Sequence, residues 1–291
     1  MTIRHLKIFV TVAEMGKMRS AAEQLHISQP SVSQAIREME DYYGVQLFER
    51  LAQRIYITEN GKNLLSYARH VVESFEQFEE NAFCEAKKEI IRIGGSVSVG
   101  TVLLPKLLKQ LKFQQKEAEI QVTVNNTAVI EKMIENNELD IAIVEGIVKN
   151  SRLVQKEIME DELVLVAGKA HPFFNRASIQ IEELEGQSFV SRENGSAERN
   201  QFEQYLLENQ IKMKCTWVCS NTEAIKQAVL NGEGLAILSR MLIKKELKEE
   251  QFHVISVEGI NIKRIIKMIY YENKYFNSTM QRFAEICKNF T

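Results

Sequence analysis

The chain has 291 residues, 45% of them hydrophobic and 26% charged, with a net charge of −2 at pH 7. That length points to two domains, and the composition supports sizeable buried cores. The near-neutral balance excludes a global electrostatic argument for nucleic acid. The absence of any apolar run of about 18 residues excludes a membrane-spanning helix. Four scattered cysteines (Cys84, Cys215, Cys219, Cys287) exclude a disulfide framework.

Met1-Thr2-Ile3-Arg4-His5 leads directly into a patterned segment with no secretory apolar stretch, so the expected location is the cytoplasm. Ile3, Leu6, Phe9, Val10 and Ala13 form a stripe of helical period, and Gly16 ends that helix. A short second helix is expected from Ser20 to Leu25, with Ala22 and Leu25 facing inward, followed by a turn at His26-Ile27. Ser28 is a cap for a third helix and tolerates Pro30 in the first turn, where N–H groups have no intrahelical acceptor. Val32, Ile36 and Met39 form its inner face, and Gly44 its end. "VQLFERLAQRIYIT" reads as a hairpin rimmed by Arg50 and Arg54.

Residues 1–58 carry seven Lys/Arg against six Asp/Glu, so any case for DNA rests on placement rather than on charge. Three helices and a wing are too small for an enzyme core. In a helix-turn-helix the early residues of the second helix enter the major groove, about 12 Å wide. Here those residues are Gln29, Pro30, Ser31, Ser33, Gln34 and Arg37. Gln pairs bidentately with adenine, Ser donates or accepts, and Arg reaches guanine or phosphate, while Arg50 and Arg54 on the wing suit phosphate.

A long helix is expected from Glu59 to about Lys88. Along it Leu64, Ala68, Val71, Phe75, Phe78 and Ala82 are spaced 4, 3, 4, 3, 4. Roughly thirty residues span about 45 Å, and a narrow heptad seam on so long a helix calls for a partner. The seam is therefore assigned to dimerisation, the alternative being packing on its own domain.

From Ile90 strands and helices alternate, as in a parallel, helix-covered sheet. The rhythm divides into two similar α/β halves. The expected boundaries are a winged helix-turn-helix over 1–58, a linker helix over 59–89 and a third region over 90–291. Within that region one subdomain takes about 90–163 and 265–291, the other about 164–264. Cys215 and Cys219 fall on one strand, about 13 Å apart, beyond the roughly 7 Å a disulfide spans, and read as small buried hydrophobes. There is no metal-spaced His/Cys cluster, phosphate loop, "GxGxxG" or "GxSxG". No catalytic residue, metal ligand or cofactor is expected.

Residues 5–69 resemble the DNA-binding region of the LysR-type transcriptional regulators, most closely in "AAEQLHISQPSVSQAIREME", "GVQLFER" and "ITENG". Looser matches, "LPKLL", "ELDIAIVEG", "RENGSAER" and "NGEGLAILSR", fall in the C-terminal half. The resemblance implies an α+β chain: a winged helix-turn-helix, a linker helix and an α/β effector-binding domain. That domain would have two Rossmann-like subdomains, similar to periplasmic binding proteins. The implied partners are promoter DNA, a small-molecule effector, RNA polymerase, and further copies of the chain as a homodimer or dimer of dimers. The resemblance also points to helix N-termini facing the cleft between subdomains. Ser96 and Ser98 lie just before one helix, and Thr127 and Ser196 open two others. N–H groups, the positive dipole end and hydroxyls favour an anion such as a carboxylate, although each of these residues alone also serves as a plain cap. One departure from the family pattern is Arg19, which stands where a capping Ser or Thr is usual, so a phosphate contact is expected of it instead. The competing reading is an α/β small-molecule-binding protein or enzyme with an accessory helical domain, which has no need of a reading helix or a heptad linker.

Overall fold

A computed structural model describes residues 1–51, 54–82, 90–259 and 261–290. The side chains of Arg50, Leu51, Arg54, Gln77, Glu80, Asn81 and Ala82 lie outside that description. The chain forms two compact units: residues 1–87 with 135–138, and residues 88–134 with 139–291.

The first unit contains α1 (Ile3–Met15), α2 (Met18–Gln24), α3 (Gln29–Tyr43), β1 (Phe48–Leu51), β2 (Arg54–Ile57) and α4 (Glu59–Ala82). Both glycine stops behave as expected: Gly16 and Gly44 take φ of 62° and 67°, where L residues are strained. The core is deeper than the expected α1 stripe. Ile8, Phe9 and Val12 are its most buried side chains, while Ile3, Leu6, Val10 and Ala13 are only half-buried. The reason is that α1 is covered by α4 as well as by α2 and α3, so a broad apolar face is enclosed. Phe9 meets Phe48 edge-on, with ring centroids 5.6 Å apart. Glu40 accepts the Leu47 and Phe48 N–H groups at 2.8 and 3.2 Å and so fixes the start of the wing. Thr58 caps α4 by accepting the Gly61 N–H at 2.9 Å. A Cβ at Gly61 would lie 2.3 Å from the Leu47 carbonyl oxygen, so only glycine lets the helix and wing approach this closely.

The second helix differs from expectation. It begins at Met18, with Lys17 at the cap position and no side-chain cap bond. Arg19 is therefore inside the first turn and pairs with Glu23 at 3.1 Å, both exposed. The expected long helix is described to Ala82, and 83–89 lie outside the described residues.

The second unit contains β3 (Ile90–Gly95), α5 (Val97–Val102), α6 (Leu104–Gln114), β4 (Glu119–Val124), α7 (Thr127–Glu135), β5 (Ile141–Glu145) and β6 (Leu153–Gly168). It continues with β7 (Ser178–Ile179), β8 (Ser188–Arg192), α8 (Ala197–Glu208), β9 (Lys214–Cys219), α9 (Thr222–Leu230) and β10 (Ala236–Ser239). The remaining elements are α10 (Lys244–Lys248), β11 (Phe252–Val257), β12 (Ile262–Tyr271) and α11 (Ser278–Lys288). Pro105 sits in the first turn of α6, where its missing N–H has no intrahelical acceptor, and α5 ends just before it at Val102. Residues Arg240–Ile243 form a 3-10 turn before α10.

The α/β expectation is met with one change of topology. β4, β3 and β5 are parallel, and β8 with β9 form a second parallel pair. The two halves are joined by β6 and β12, which run antiparallel to each other over most of their lengths, so the main sheet is mixed rather than parallel. Alternation on β5 places Ile141 and Ile143 in the core with Leu107, Leu111 and Phe283, and Ala142 and Val144 in the core with Ile130 and Ile134. The far end of β6 repeats this: Leu163 and Leu165 face Phe189, Phe202 and Leu206, while Val164 and Val166 face Ile225 and Val229. Cys215 is half-buried and Cys219 buried on β9, and both thiols are free.

Candidate DNA-reading face and effector cleft

On α3 the inward residues are those expected. Val32, Ile36 and Met39 are buried, with Ala35 beside them. Ser28 accepts the Ser31 N–H at 3.3 Å, and its hydroxyl also lies 2.8 Å from that of Ser31. Gln29, Pro30, Gln34 and Arg37 are exposed, and Ser31 and Ser33 half-buried, so all six expected reading residues share the accessible side of the helix. The Gln34 amide donates to Glu38 at 2.9 Å, and His5 lies 3.0 Å from the same carboxylate. These bonds hold the Glu38 carboxyl below its ordinary pKa, that to His5 first and that to Gln34 next. The bond to Glu38 occupies one of the two Gln34 amide N–H groups and leaves its carbonyl oxygen open. Arg50 and Arg54 lie on the two wing strands, paired with Ile55 and Leu51 respectively, and their side chains are outside the described residues.

The α4 seam divides along its length. Ala68 is buried and Leu64 half-buried in the core of their own unit, the alternative that the sequence left open for this seam. The cause is that the first turns of α4 lie on α1. Beyond them Val71 is 49% and Phe78 68% exposed, and Phe75 is half-buried beneath the Lys7 ammonium, 5.5 Å from its ring centre. The side chain of Ala82 is outside the described residues.

In the second unit Ser96, Ser98, Thr127 and Ser196 are all buried; Ser96 and Thr127 meet at Glu145, and Ser98 meets Glu198, two residues after Ser196. Ser96 is the cap residue of α5 and Ser98 sits within its first turn rather than before it. Ser196 precedes α8 without a side-chain cap bond. Three of the hydroxyls are engaged by the chain itself. Ser96 donates to the Glu145 carboxylate, Thr127 to the Glu145 carbonyl at 3.1 Å, and Ser98 to Glu198 Oε1 at 3.1 Å.

Around these hydroxyls lies a buried charge network that the sequence argument did not assign. Arg264, on β12, places Nη2 2.7 Å from Asp161, 3.5 Å from Glu198 Oε1 and 3.2 Å from the Ser98 hydroxyl. Its Nη1 is 3.5 Å from Glu145. Arg192, at the end of β8, forks onto Glu193 through two bonds of 2.9 Å and lies 3.7 Å from Glu198 Oε2. Ser239 donates to Asp161 at 3.0 Å, and Asn126 reaches Glu193 at 3.5 Å. Burial pushes the Glu198 carboxyl above the ordinary carboxylate range, aided by Glu145 and opposed by Arg264 and Arg192. Burial also opposes the charge of Arg264, but Glu145, Glu198 and Asp161 outweigh it and raise that guanidinium further. Such buried charges persist only where they are mutually paired.

Local signals for part of this network exist in the sequence. Glu145 ends the all-buried strand "IAIVE", where an acid has no packing role. Asn126-Thr127 recurs as Asn221-Thr222: each Asn side chain accepts an N–H two residues after the Thr, at 3.0 and 2.8 Å. The Thr222 hydroxyl is buried and has no hydrogen-bond partner among the described residues. Arg264 and Asp161 carried no such signal, since their strands read as ordinary mixed segments.

Comparison with known proteins agrees with this two-part arrangement. Residues 3–62 match the family model "Bacterial regulatory helix-turn-helix protein, lysR family", and residues 85–291 match "LysR substrate binding domain". The HTH-type transcriptional regulator CysL of Bacillus subtilis is 31% identical over 267 residues, covering 91% of this chain and 89% of that one. Among solved structures, full-length OxyR from Pseudomonas aeruginosa aligns with a TM-score of 0.73 at 23% identity, covering 99% of this chain and 94% of its own. The regulatory domain of Synechocystis PCC6803 CcmR, in complex with 2-PG, aligns with a TM-score of 0.65 at 23% identity, covering 69% of this chain and 96% of its own. Family models spanning both units, with relatives aligned over nearly the whole length, decide the matter. The chain belongs to the LysR-type transcriptional regulators: it is a DNA-binding regulator with an effector-binding domain, and not an enzyme.

Proposed function

We propose that the protein reads promoter DNA through the outward face of α3, with Gln29, Ser31, Ser33, Gln34 and Arg37 at base edges or phosphates. Pro30 shapes the helix start, and Arg50 and Arg54 hold the backbone from the wing. The observation that carries this reading is the division of α3 into a buried apolar face and an accessible face of short hydrogen-bonding side chains ending in Arg37. A homodimer, formed in part by Val71, Phe75 and Phe78, would place two such helices about one helical turn or a multiple apart. No helix among the described residues is long and apolar enough to cross a membrane, which is consistent with work in the cytoplasm.

The second half of the proposal is a small oxyanion effector between the halves of the sensing unit, at Ser96, Ser98, Thr127 and Ser196. Support comes from the burial of these four residues, from the contacts of Ser96 and Thr127 with Glu145 and of Ser98 with Glu198, and from the two nearby guanidiniums. CcmR, the structural neighbour above, carries 2-PG in its regulatory domain. Such an effector alters DNA binding only as far as it prefers one sensor conformation to the other.

Binding-site selection tests the reading face. Gln29→Ala and Ser33→Ala are expected to relax the recovered motif at particular positions, each at a cost of about 1–3 kcal/mol in discrimination. Arg54→Ala is expected to weaken all sites alike and to flatten the salt dependence. An unchanged motif from both α3 variants would remove them from base reading.

A further inference from the structure

Glu198 stands where a bound carboxylate is expected to stand. It is the second residue of α8, it is 2% exposed, and its carboxyl reaches from one half of the sensing unit to Ser98 on the other. Arg264 and Arg192 flank it, one near each oxygen. These are the groups that recognise a small oxyanion: one hydroxyl donor and two guanidiniums in a dry site. The seat nevertheless keeps unused capacity. Glu198 Oε2 and Arg264 Nη1 are buried and lack a hydrogen-bond partner among the described residues. A polar atom left so costs free energy that a better-fitting oxyanion recovers.

We propose that Glu198 is a built-in occupant of the effector's oxyanion seat, so that a small carboxylate or similar anion binds by exchange with it. This rests on the reading of the cleft as the effector site. The ligand's oxygens take the Ser98 hydroxyl and the two guanidiniums. Glu198 gives them up and takes a proton from solvent, so the number of negative charges in the seat does not rise. The exchange breaks the Ser98–Glu198 bond between the halves, which gives the ligand a means of changing how they sit together.

The groups facing Glu198 set the direction of the pH effect. They are Ser98 from α5, Glu145 from β5, Arg264 from β12 with Asp161 of β6 behind it, and Arg192 from β8 with the adjoining Glu193. Burial and Glu145 already raise the Glu198 pKa, and a second anion beside it raises it further. Where Glu198 is ionised before binding, each anion bound takes up one proton. Affinity then rises as pH falls, by up to about tenfold per pH unit.

The test uses the full-length protein and three probes, acetate, glycolate and inorganic sulfate, read by thermal shift and calorimetry between pH 6 and pH 8. The wild type is expected to bind them more weakly at pH 8 than at pH 6. Glu198→Gln is expected to bind about tenfold or more tightly than wild type at pH 8, with the pH slope lost. Glu198→Asp, which keeps the charge but draws it back from Ser98, is expected to bind more tightly than wild type and to keep the slope; it carries the test if the glutamine variant fails to fold. Ser98→Ala is expected to lose the binding. Equal affinity and slope in wild type and both Glu198 variants, with Ser98→Ala still inactive, would overturn the exchange while leaving the cleft as the effector site. Binding retained in Ser98→Ala would place the anions elsewhere and overturn the cleft reading. No binding of any probe to any Glu198 variant would overturn the exchange.

Discussion

His26 has a φ of 53° without being glycine, in the turn between α2 and α3. The neighbouring Ile27 N–H is held by the Ala22 carbonyl at 3.0 Å, so the turn cannot relax without giving up that bond. Left-handed backbone costs an L residue roughly 1–2 kcal/mol, least for Asn and Gly and most for β-branched side chains. His26→Asn is therefore expected to leave stability unchanged or slightly raised, and His26→Val to lower it by about 1–2 kcal/mol. Urea unfolding of the two variants checks this, and equal midpoints would show that the turn is not the strained point. The sequence marked the turn at His26-Ile27 but not the strain, because backbone angles follow from how two helices must meet. Arg19 teaches the same lesson from the other side. Its expected place at a cap came from the family resemblance, and two extra helical residues at the start, Met18 and Arg19 itself, turned it into the partner of Glu23.

At the scale of elements, α4 has two different surfaces in series. Its first turns complete the core of the DNA-binding unit through Ala68 and Leu64, while Val71 and Phe78 stay exposed further along. The heptad spacing could not separate these uses, since a 3–4 repeat of apolar residues packs equally well on a neighbouring helix of the same chain. Val71→Glu combined with Phe78→Glu is expected to shift the protein towards monomer in sedimentation analysis, with helix content retained. Ala68→Glu is expected to destabilise the DNA-binding unit itself by several kcal/mol, because it forces an unpaired carboxylate into that core. An unchanged sedimentation profile in the double variant would remove these residues from any dimer surface. The recognition helix was more legible. A cap, a proline in the first turn, three inward apolar residues and a terminal glycine are all local signals, and each has its expected place in the fold.

At the scale of the whole molecule, the sensing unit is held as one sheet network by β6 and β12, which pass through both halves and pair with each other. Splitting the chain near residues 163 and 264 cuts through both of these strands. Residues 90–291 expressed alone are therefore expected to unfold in a single cooperative transition, with fluorescence and circular dichroism coinciding. Two separated transitions would show that the halves are independent. The sequence by itself determined the family, the winged helix-turn-helix, the apolar inner face of α3 and the α/β rhythm, and it singled out four hydroxyl residues that the fold buries. These rest on capping, periodicity and motif, which operate over a few residues. Only the tertiary structure decided that the main sheet is mixed, that two of the six α4 seam residues pack into their own unit, and that Glu145, Asp161, Arg192, Glu198 and Arg264 close on one another among those hydroxyls. Those outcomes depend on partners as far apart as Ser98 and Glu198 or Asp161 and Arg264. Burial by the rest of the fold raises the proton affinity of the Glu198 carboxyl, and no local pattern encodes it.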